Sequence, residues 1–471
     1  MSHQFDPTVL REYDIRGIIG ETLGADDARA IGRGFGSMLG EAGGSRVAVG
    51  YDGRVSSPML EHALIEGLTA SGMDVVRVGM GPTPMLYYAE ASADDVDGGI
   101  QITGSHNPAN YNGFKMVFQG RPFFGADILE LGRRGAAGEW ADGTGSVETR
   151  DVMDDYIAKI VTALDGIDAG TLASMRVGWD AGNGAAGPAL EKLVAHLPGE
   201  HHLLYTEVDG NFPNHHPDPT VEANLEDLRT LVADKSLDFG VAFDGDGDRI
   251  GAVDGEGRVI WGDQLLMIYA EDLLRNRADR FAGATIIADV KASRALFDQV
   301  AAFGGKPLMW KTGHSLIKSK MKETSSPLAG EMSGHVFFAD DYYGFDDALY
   351  AGVRLIAASA RLGKSVTQLR GSMPAMINTP EMRFQVDESR KFAAIEEIAA
   401  RIAASDAVAD TTDGVRVTND DGWWLLRASN TQDVLVARAE SESEEGLARL
   451  VAQIDEQLSL SGLERGESVG H

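Results

Sequence analysis

The chain has 471 residues, 43% hydrophobic and 24% charged, and its 72 acidic residues outnumber 42 basic ones for a net charge of −30. That is material for about three globular domains, and such acidity argues against nucleic acid or an anionic membrane as partner, because both require a basic field. The absence of cysteine removes disulfides, thiol nucleophiles and cysteine zinc sites. No apolar run approaches the roughly 18 residues of a spanning helix, and the charged N-terminus has no signal-peptide core, so the expected location is the cytoplasm.

Taken in chain order, apolar β-branched runs alternate with stretches of helical period. Residues 46–50 read as a strand, 58–71 as a helix and 74–78 as a strand. A second set runs from strand 175–179 through helix 185–196, strand 202–207 and helix 225–233 to strand 238–243. A third has a helix from 263 to 275, strand 284–289 and helix 293–303. Such units build parallel or mixed sheets covered by helices. The last hundred residues differ: run 381–386, helix 388–404, three extended runs (415–418, 423–427, 434–439) joined by polar turns, and helix 444–458. The fold class expected is α/β, with three α/β domains of mixed sheets over 1–150, 151–255 and 256–370. A C-terminal α+β domain over 371–460 and a disordered tail, 461–471, complete the chain.

Two segments carry the sharpest chemistry. Thr-Gly-Ser-His-Asn-Pro at 103–108 follows a strand-like run. Ser105 is thereby exposed at a strand end beside free loop amides, which suits a nucleophile or a phosphate carrier, or else a capping serine in an Asn-Pro turn. Lys115 follows ten residues later. Asp-Gly-Asp-Gly-Asp-Arg at 244–249 comes directly after strand 238–243. Its alternate carboxylates Asp244, Asp246 and Asp248 can converge on one hard divalent cation. An EF-hand is rejected, since Arg249 and Gly255 stand where Gly and Glu are required.

Weaker signals are spread along the chain. Gly-Asn-Gly-Ala-Ala-Gly at 182–187, with Asp209 beyond it, matches a dinucleotide fingerprint as well as an ordinary tight turn. Cations recur in Gly/Ser-rich loops: Arg11, Arg16, Arg54, Lys291, Lys311 and Arg427. The Arg427 loop, with Ser429, Asn430 and Thr431, is a good phosphate grip. Together these loops point to one central anion site. Glu331, Ser333 and His335 share a loop able to bind sugar hydroxyls, while the histidines at 215 and 216 read as loop residues.

In this order the motifs at 103–108, 244–249, 331–335 and 427–431 resemble the α-D-phosphohexomutase family, in its phosphomannomutase/phosphoglucomutase branch, over essentially the whole chain. The resemblance implies four domains around one deep cleft: a phosphoserine domain, a metal-binding domain, a sugar-recognition domain and a phosphate-binding lid. It implies a phosphoryl group on Ser105 and one Mg²⁺ among that phosphoserine, Asp244, Asp246 and Asp248. Glu331 and Ser333 would bind the sugar 3- and 4-hydroxyls, and Met332 resembles the glucose/mannose branch. Arg427, Ser429, Asn430 and Thr431 would grip the phosphate that is not reacting. Arg16, Lys115 and His335 are the catalytic candidates; Tyr13, Arg249, Lys291 and His314 are further substrate contacts. Asp433 departs from the usual proline of the phosphate loop and is expected to face solvent; Tyr51 replaces a more usual Arg.

The expected function is reversible phosphoryl transfer between the 1- and 6-positions of mannose and glucose phosphates, with a hexose 1,6-bisphosphate as intermediate and activator. Small hexose phosphates are the expected partners, and no obligate protein partner is implied. The alternatives are an NAD-dependent oxidoreductase, a non-catalytic phosphosugar-binding protein and a phosphoserine hydrolase.

Overall fold

Strands Arg46–Tyr51, Phe239–Phe243 and Thr285–Asp289 are buried along almost their whole length, as apolar runs are when helices cover both faces of a sheet. A computed structural model describes residues 2–430 and 432–466, and in it four sheets follow one another along the chain. In the first, parallel strands Gly98–Ile102, Arg46–Tyr51, Asp74–Met80 and Val147–Thr149 are extended by antiparallel Tyr111–Phe118 and Ile15–Ile18. The second runs Val259–Ile260, Ile250–Asp254, Phe239–Phe243, Arg176–Asp180, Glu200–Leu204, and the third Lys306–Trp310, Thr285–Asp289, Leu328–Gly330, Val336–Phe338. Both mix parallel and antiparallel pairs. The expected mixed-sheet α/β class is what the chain adopts.

The fourth sheet is antiparallel throughout. Its strand Gly422–Ala428 alternates between two environments, as a period of two requires. Trp424 and Leu426 face the domain's own helices, while Trp423 and Leu425 pack on Val290 and Met309 of the third domain. Arg416 lies over the Trp423 ring at 3.6 Å and donates to the carbonyls of Val290 and Ala292. The last domain is thus seated on the third by a buried aromatic anchor.

Several elements differ from expectation. The helix expected from 263 to 275 is α-helical over Gly262–Glu271 and continues as a π turn over Asp272–Asn276. Helices Ala25–Glu41, Thr83–Ala91, Ala126–Ala137 and Ala348–Leu362 were not anticipated. Of the expected disordered tail, residues 461–466 are ordered: Leu463 packs on the last core and Arg465 pairs with Asp455. Residues 467–471 lie outside the described residues. Among the described residues no helix is long and apolar enough to cross a membrane.

Candidate active site

Strands of two different sheets end against each other. Gly98–Ile102 runs into loop 103–108 and Phe239–Phe243 into loop 244–249, and a Cβ on Gly245 would stand 2.5 Å from the Ser105 carbonyl oxygen. Ser105 has φ +48°, a left-handed conformation that costs a non-glycine residue about 1–3 kcal/mol and must be imposed by its surroundings. Its hydroxyl donates to Asp244 Oδ2 at 2.9 Å, and its N–H donates to Thr103 Oγ1 at 2.8 Å.

What imposes this loop is Arg54. Expected among the anion-binding cations, it is instead consumed by carbonyl groups. Nη2 donates to Ser105 and Asn107 (2.8 and 2.6 Å), Nη1 to Pro108 and Tyr111 (2.6 and 3.1 Å). Nε donates to Asp52 Oδ2 at 3.2 Å, and that oxygen also accepts the Gly104 N–H at 2.9 Å. Gly104 must lack a side chain, since a Cβ there would lie 2.2 Å from Arg54 Nε. With the loop carbonyls gathered on one guanidinium, the Ser105 side chain is left facing the aspartates. Arg54→Met leaves Asp52 buried without its cation and should destabilise the protein by about 3–5 kcal/mol. Urea unfolding measures it, and a loss below about 1 kcal/mol would contradict the clamp.

Asp244, Asp246 and Asp248 are fully buried and offer carboxylate oxygens within 4.8 Å of one another. Burial, with Asp246 and Asp248 so close, pushes Asp244 well above the ordinary carboxylate range. Burial acts the same way on Asp248, but Lys115 and His335 hold it well below that range. Lys115 projects from strand Tyr111–Phe118, its ammonium 2.8 Å from Asp246 Oδ2 and hydrogen-bonded to Asp248. These carboxylates overcome its burial and keep it cationic. Asp246 Oδ1 is buried with no partner. Asp248 Oδ1 is likewise buried without a hydrogen-bond partner, and an all-oxygen donor set beside the Ser105 hydroxyl with two such oxygens fits Mg²⁺.

Across the cleft, Glu331 accepts the Gly313 N–H at 2.6 Å and lies 3.0 Å from His335 Nδ1, while Ser333 Oγ is 3.0 Å from the same nitrogen. His335 Nε2 lies 3.3 Å from Asp248 Oδ1. Burial would lower the His335 pKa, but Asp248 outweighs it and the ring is raised to about 9. Burial would raise Glu331, but His335 and the Gly313 N–H hold it down to about 2. The raised His335 stabilises the metal-free protein below its ordinary pKa of 6.5, a contribution lost as pH rises towards 9. The depressed Glu331 contributes above 4.5, lost as pH falls towards 2. Urea midpoints without metal should therefore fall between pH 6.5 and 9; a His335→Gln variant should lose that alkaline slope.

The far wall comes from the last domain. Arg427 Nε donates to Asp413 Oδ2 at 3.0 Å, and the same oxygen accepts the Thr312 N–H at 3.0 Å. Asn430 Nδ2 donates to the Tyr13 oxygen at 2.5 Å, and the Tyr13 hydroxyl donates to the Thr312 carbonyl at 2.9 Å. The first, third and fourth domains therefore meet at one rim. Lys291 pairs with Glu381 at 2.9 Å. Asp433 is 55% exposed and 3.7 Å from Lys391, outside the cleft lining. Thr431 lies outside the described residues.

All these loops line one cleft of about 720 Å³. Arg11, Tyr13, Arg16, Ser105, Lys115, Arg249, Lys291, His314, Glu331, Ser333, His335, Arg427, Ser429 and Asn430 reach its surface; the three aspartates lie just beneath. Arg54 and Lys311, expected with the other cations, do not line it. Sequence reasoning missed Asn378, Arg383 and Arg438, which do. Arg438 is 4% exposed, donates to the Lys291 carbonyl at 2.8 Å, and keeps its Nε unpartnered. An arginine inside the apolar strand Val434–Ser441 was the available signal.

Four domain descriptions match in order: phosphoglucomutase/phosphomannomutase α/β/α domain I over residues 7–134, domain II over 154–257, domain III over 261–376 and the C-terminal domain over 381–457. The chain belongs to this family. It is 45% identical over 451 residues to the phosphomannomutase/phosphoglucomutase of Pseudomonas aeruginosa, covering 96% of this chain and 95% of that one. It is 42% identical over 449 residues to the phosphoglucomutase of Neisseria gonorrhoeae, covering 94% and 95%. A crystal structure of a phosphoglucomutase/phosphomannomutase family protein from Burkholderia thailandensis superposes with a TM-score of 0.90 at 43% identity, covering 99% of this chain and 100% of that one. Family membership makes the chain a phosphohexomutase, an enzyme of phosphoryl transfer on hexose phosphates.

The nicotinamide alternative rested on the glycines at 182–187. They are used for close packing: a Cβ on Gly187 would lie 2.0 Å from the Thr206 carbonyl oxygen, and one on Gly184 would lie 2.8 Å from that of Gly245. The turn thus supports the aspartate loop 244–249.

Proposed function

We propose that this chain interconverts the 1- and 6-phosphates of mannose and glucose through a phosphorylated Ser105 and a hexose 1,6-bisphosphate. The observation that carries the reading is the placement of the Ser105 hydroxyl on the buried aspartate cluster, at the floor of a cleft whose opposite wall holds Arg427 and Asn430. In the first half-reaction the Oγ–P bond of phospho-Ser105 breaks and a P–O bond forms to the free sugar hydroxyl. The bisphosphate then turns around, and its other phosphoryl group returns to Ser105.

Mg²⁺, when held by Asp244, Asp246, Asp248 and the seryl phosphate, neutralises charge on the transferring group. Arg16 reaches the same place, its Nη1 donating to the Gly104 carbonyl at 2.8 Å. Lys115, kept cationic by the aspartates, balances charge and does not act as the base. That leaves the proton of the sugar hydroxyl to His335, whose Nδ1 is fixed by Glu331 and Ser333 and whose Nε2 lies 3.3 Å from Asp248 Oδ1. The bare Asp248 carboxylate holds the ring protonated, and neutralising that carboxylate on magnesium binding would return the ring to the neutral form a base requires. Glu331 and Ser333 read the 3- and 4-hydroxyls, and because glucose and mannose differ at carbon 2, both sugars fit. Residues 1–150 supply the phosphoserine, 151–255 the metal site, 256–370 sugar recognition and 371–460 a lid that opens for reorientation.

Arg427 grips the phosphate that is not reacting. Arg427→Ala should raise KM by about tenfold to a thousandfold, with kcat within a few fold; a large fall in kcat at unaltered KM would contradict that role. The reading as a whole is tested by ³¹P NMR of the protein with Mg²⁺, a trace of hexose 1,6-bisphosphate, and glucose or mannose 1-phosphate. The 6-phosphate resonance should grow with both sugars. Growth with one sugar overturns the dual specificity, and free phosphate would make the chain a phosphatase.

A further inference from the structure

The proposed phosphate grip contains an acidic residue that the reaction above does not use. Asp413 Oδ2 accepts from Arg427 Nε at 3.0 Å, and the same oxygen accepts the Thr312 N–H at 3.0 Å. A carboxylate there is unexpected on charge alone, because it repels the phosphate that Arg427 attracts. The local backbone is nevertheless built to hold it. Gly414, next in the chain, has φ +83°, and a Cβ on it would lie 2.5 Å from the Arg427 Cβ and 2.4 Å from the Leu426 carbonyl oxygen. A glycine thus lets the turn before strand Val415–Asn419 close against the base of Arg427 and bring Asp413 to its guanidinium.

We infer, on the reading of Arg427 as the holder of the phosphate that is not reacting, that Asp413 is the positioning residue of that grip: it aims the Arg427 guanidinium in the cleft and registers it against the sugar-reading loop. The bond takes Nε, on the stem side of the guanidinium, and not the Nη pair, the fork that meets a phosphate bidentately. An arginine stem has several rotatable bonds. A fixed carboxylate behind Nε holds the fork in one direction and lowers the ordering cost that ligand binding would otherwise carry.

Thr312 carries the aim to the rest of the site. Its N–H donates to Asp413 of the fourth domain, and its carbonyl accepts the Tyr13 hydroxyl of the first at 2.9 Å. Its own hydroxyl donates to Asp289 Oδ2, within the third domain, at 3.1 Å. The next amide, that of Gly313, donates to Glu331 Oε1 at 2.6 Å. Two consecutive N–H groups therefore hold the carboxylate behind Arg427 and the carboxylate assigned to the sugar hydroxyls, so one short segment ties the phosphate end of the cleft to its sugar end.

The test is the KM for glucose 1-phosphate of the full-length protein, with Mg²⁺ and a trace of glucose 1,6-bisphosphate. Charge and position predict opposite signs. Removing a carboxylate that only repels the phosphate lowers KM, whereas removing one that aims Arg427 raises it. Asp413→Ala should raise KM by about tenfold or more, with kcat within a few fold and thermal unfolding confirming that it is folded. Asp413→Asn, which keeps an oxygen acceptor for both N–H groups, should recover most of that loss. Because Asp413 acts through Arg427, the Arg427→Ala/Asp413→Ala double variant should lose nothing beyond Arg427→Ala; a merely structural role would add its loss there too. Arg427→Lys keeps the charge but cannot meet Asp413 and the phosphate with one rigid fork. It should raise KM as Asp413→Ala does, and it carries the test should Asp413→Ala unfold. An unchanged or lower KM in a folded Asp413→Ala protein, a further loss in the double variant, or a wild-type KM in Arg427→Lys would overturn the positioning role. An unaltered KM in Arg427→Ala would instead remove the phosphate reading of Arg427 itself, and the role of Asp413 with it.

Discussion

Ser105→Ala is expected to take up no phosphoryl group from labelled hexose 1,6-bisphosphate and to lose turnover by a factor on the order of 10⁴ or more, as loss of a covalent nucleophile does. The loss is chemical and not structural. The loop is held by Arg54 through the carbonyls of Ser105, Asn107, Pro108 and Tyr111, none of which the substitution touches. Only the contacts of the hydroxyl with Asp244 Oδ2 and with His106 Nδ1 disappear. The thermal unfolding temperature should therefore stay within a few degrees of wild type. Full turnover in a folded Ser105→Ala protein would remove the phosphoserine mechanism.

Asp246→Asn carries the second large effect. Asp246 Oδ2 accepts from Thr83, Thr103 and Lys115 at 2.5, 3.0 and 2.8 Å, while Oδ1 is left without a partner. Replacing the carboxylate withdraws a charge from the cation's donor set and half of the counter-charge on Lys115. The Mg²⁺ concentration for half-maximal activity should rise at least about a hundredfold, and kcat at saturating Mg²⁺ should also fall. An Mg²⁺ titration that superimposes on the wild type would exclude Asp246 from the metal site.

Both effects concern residues legible in the sequence, and the reason is physical. Ser105 and the three aspartates sit in short continuous loops at strand ends, where a strand–glycine–polar pattern marks the turn. The exposure expected of Ser105 does not hold, because the loop 244–249 of another sheet packs over it and leaves it 2% exposed. Arg54 shows the limit of such reading. A cation in a Gly/Ser loop carries no local sign of whether it faces solvent, a phosphate or four backbone carbonyls; only the fold of loop 103–108 around it decides. Arg383 and Arg438 escaped notice for the opposite reason, since they stand in strands whose pattern is otherwise that of core. Helix Ala348–Leu362 is buried from Ala348 to Ser359 without a break, Arg354 included, so it lacks the solvent-facing polar side of a surface helix.

By itself the sequence determined the α/β class with its α+β last domain, the Ser105 loop, the carboxylate triad and the family, because each depends on neighbours in the chain. The tertiary structure alone decided which cations face the cleft, that Arg427 and Asn430 meet Tyr13 and Thr312 at one rim, and that Asp346 comes beside His335 and Asp248. Those groups come from separate elements, and no local pattern encodes the distance between them; the packing of four sheets around a shared cleft does.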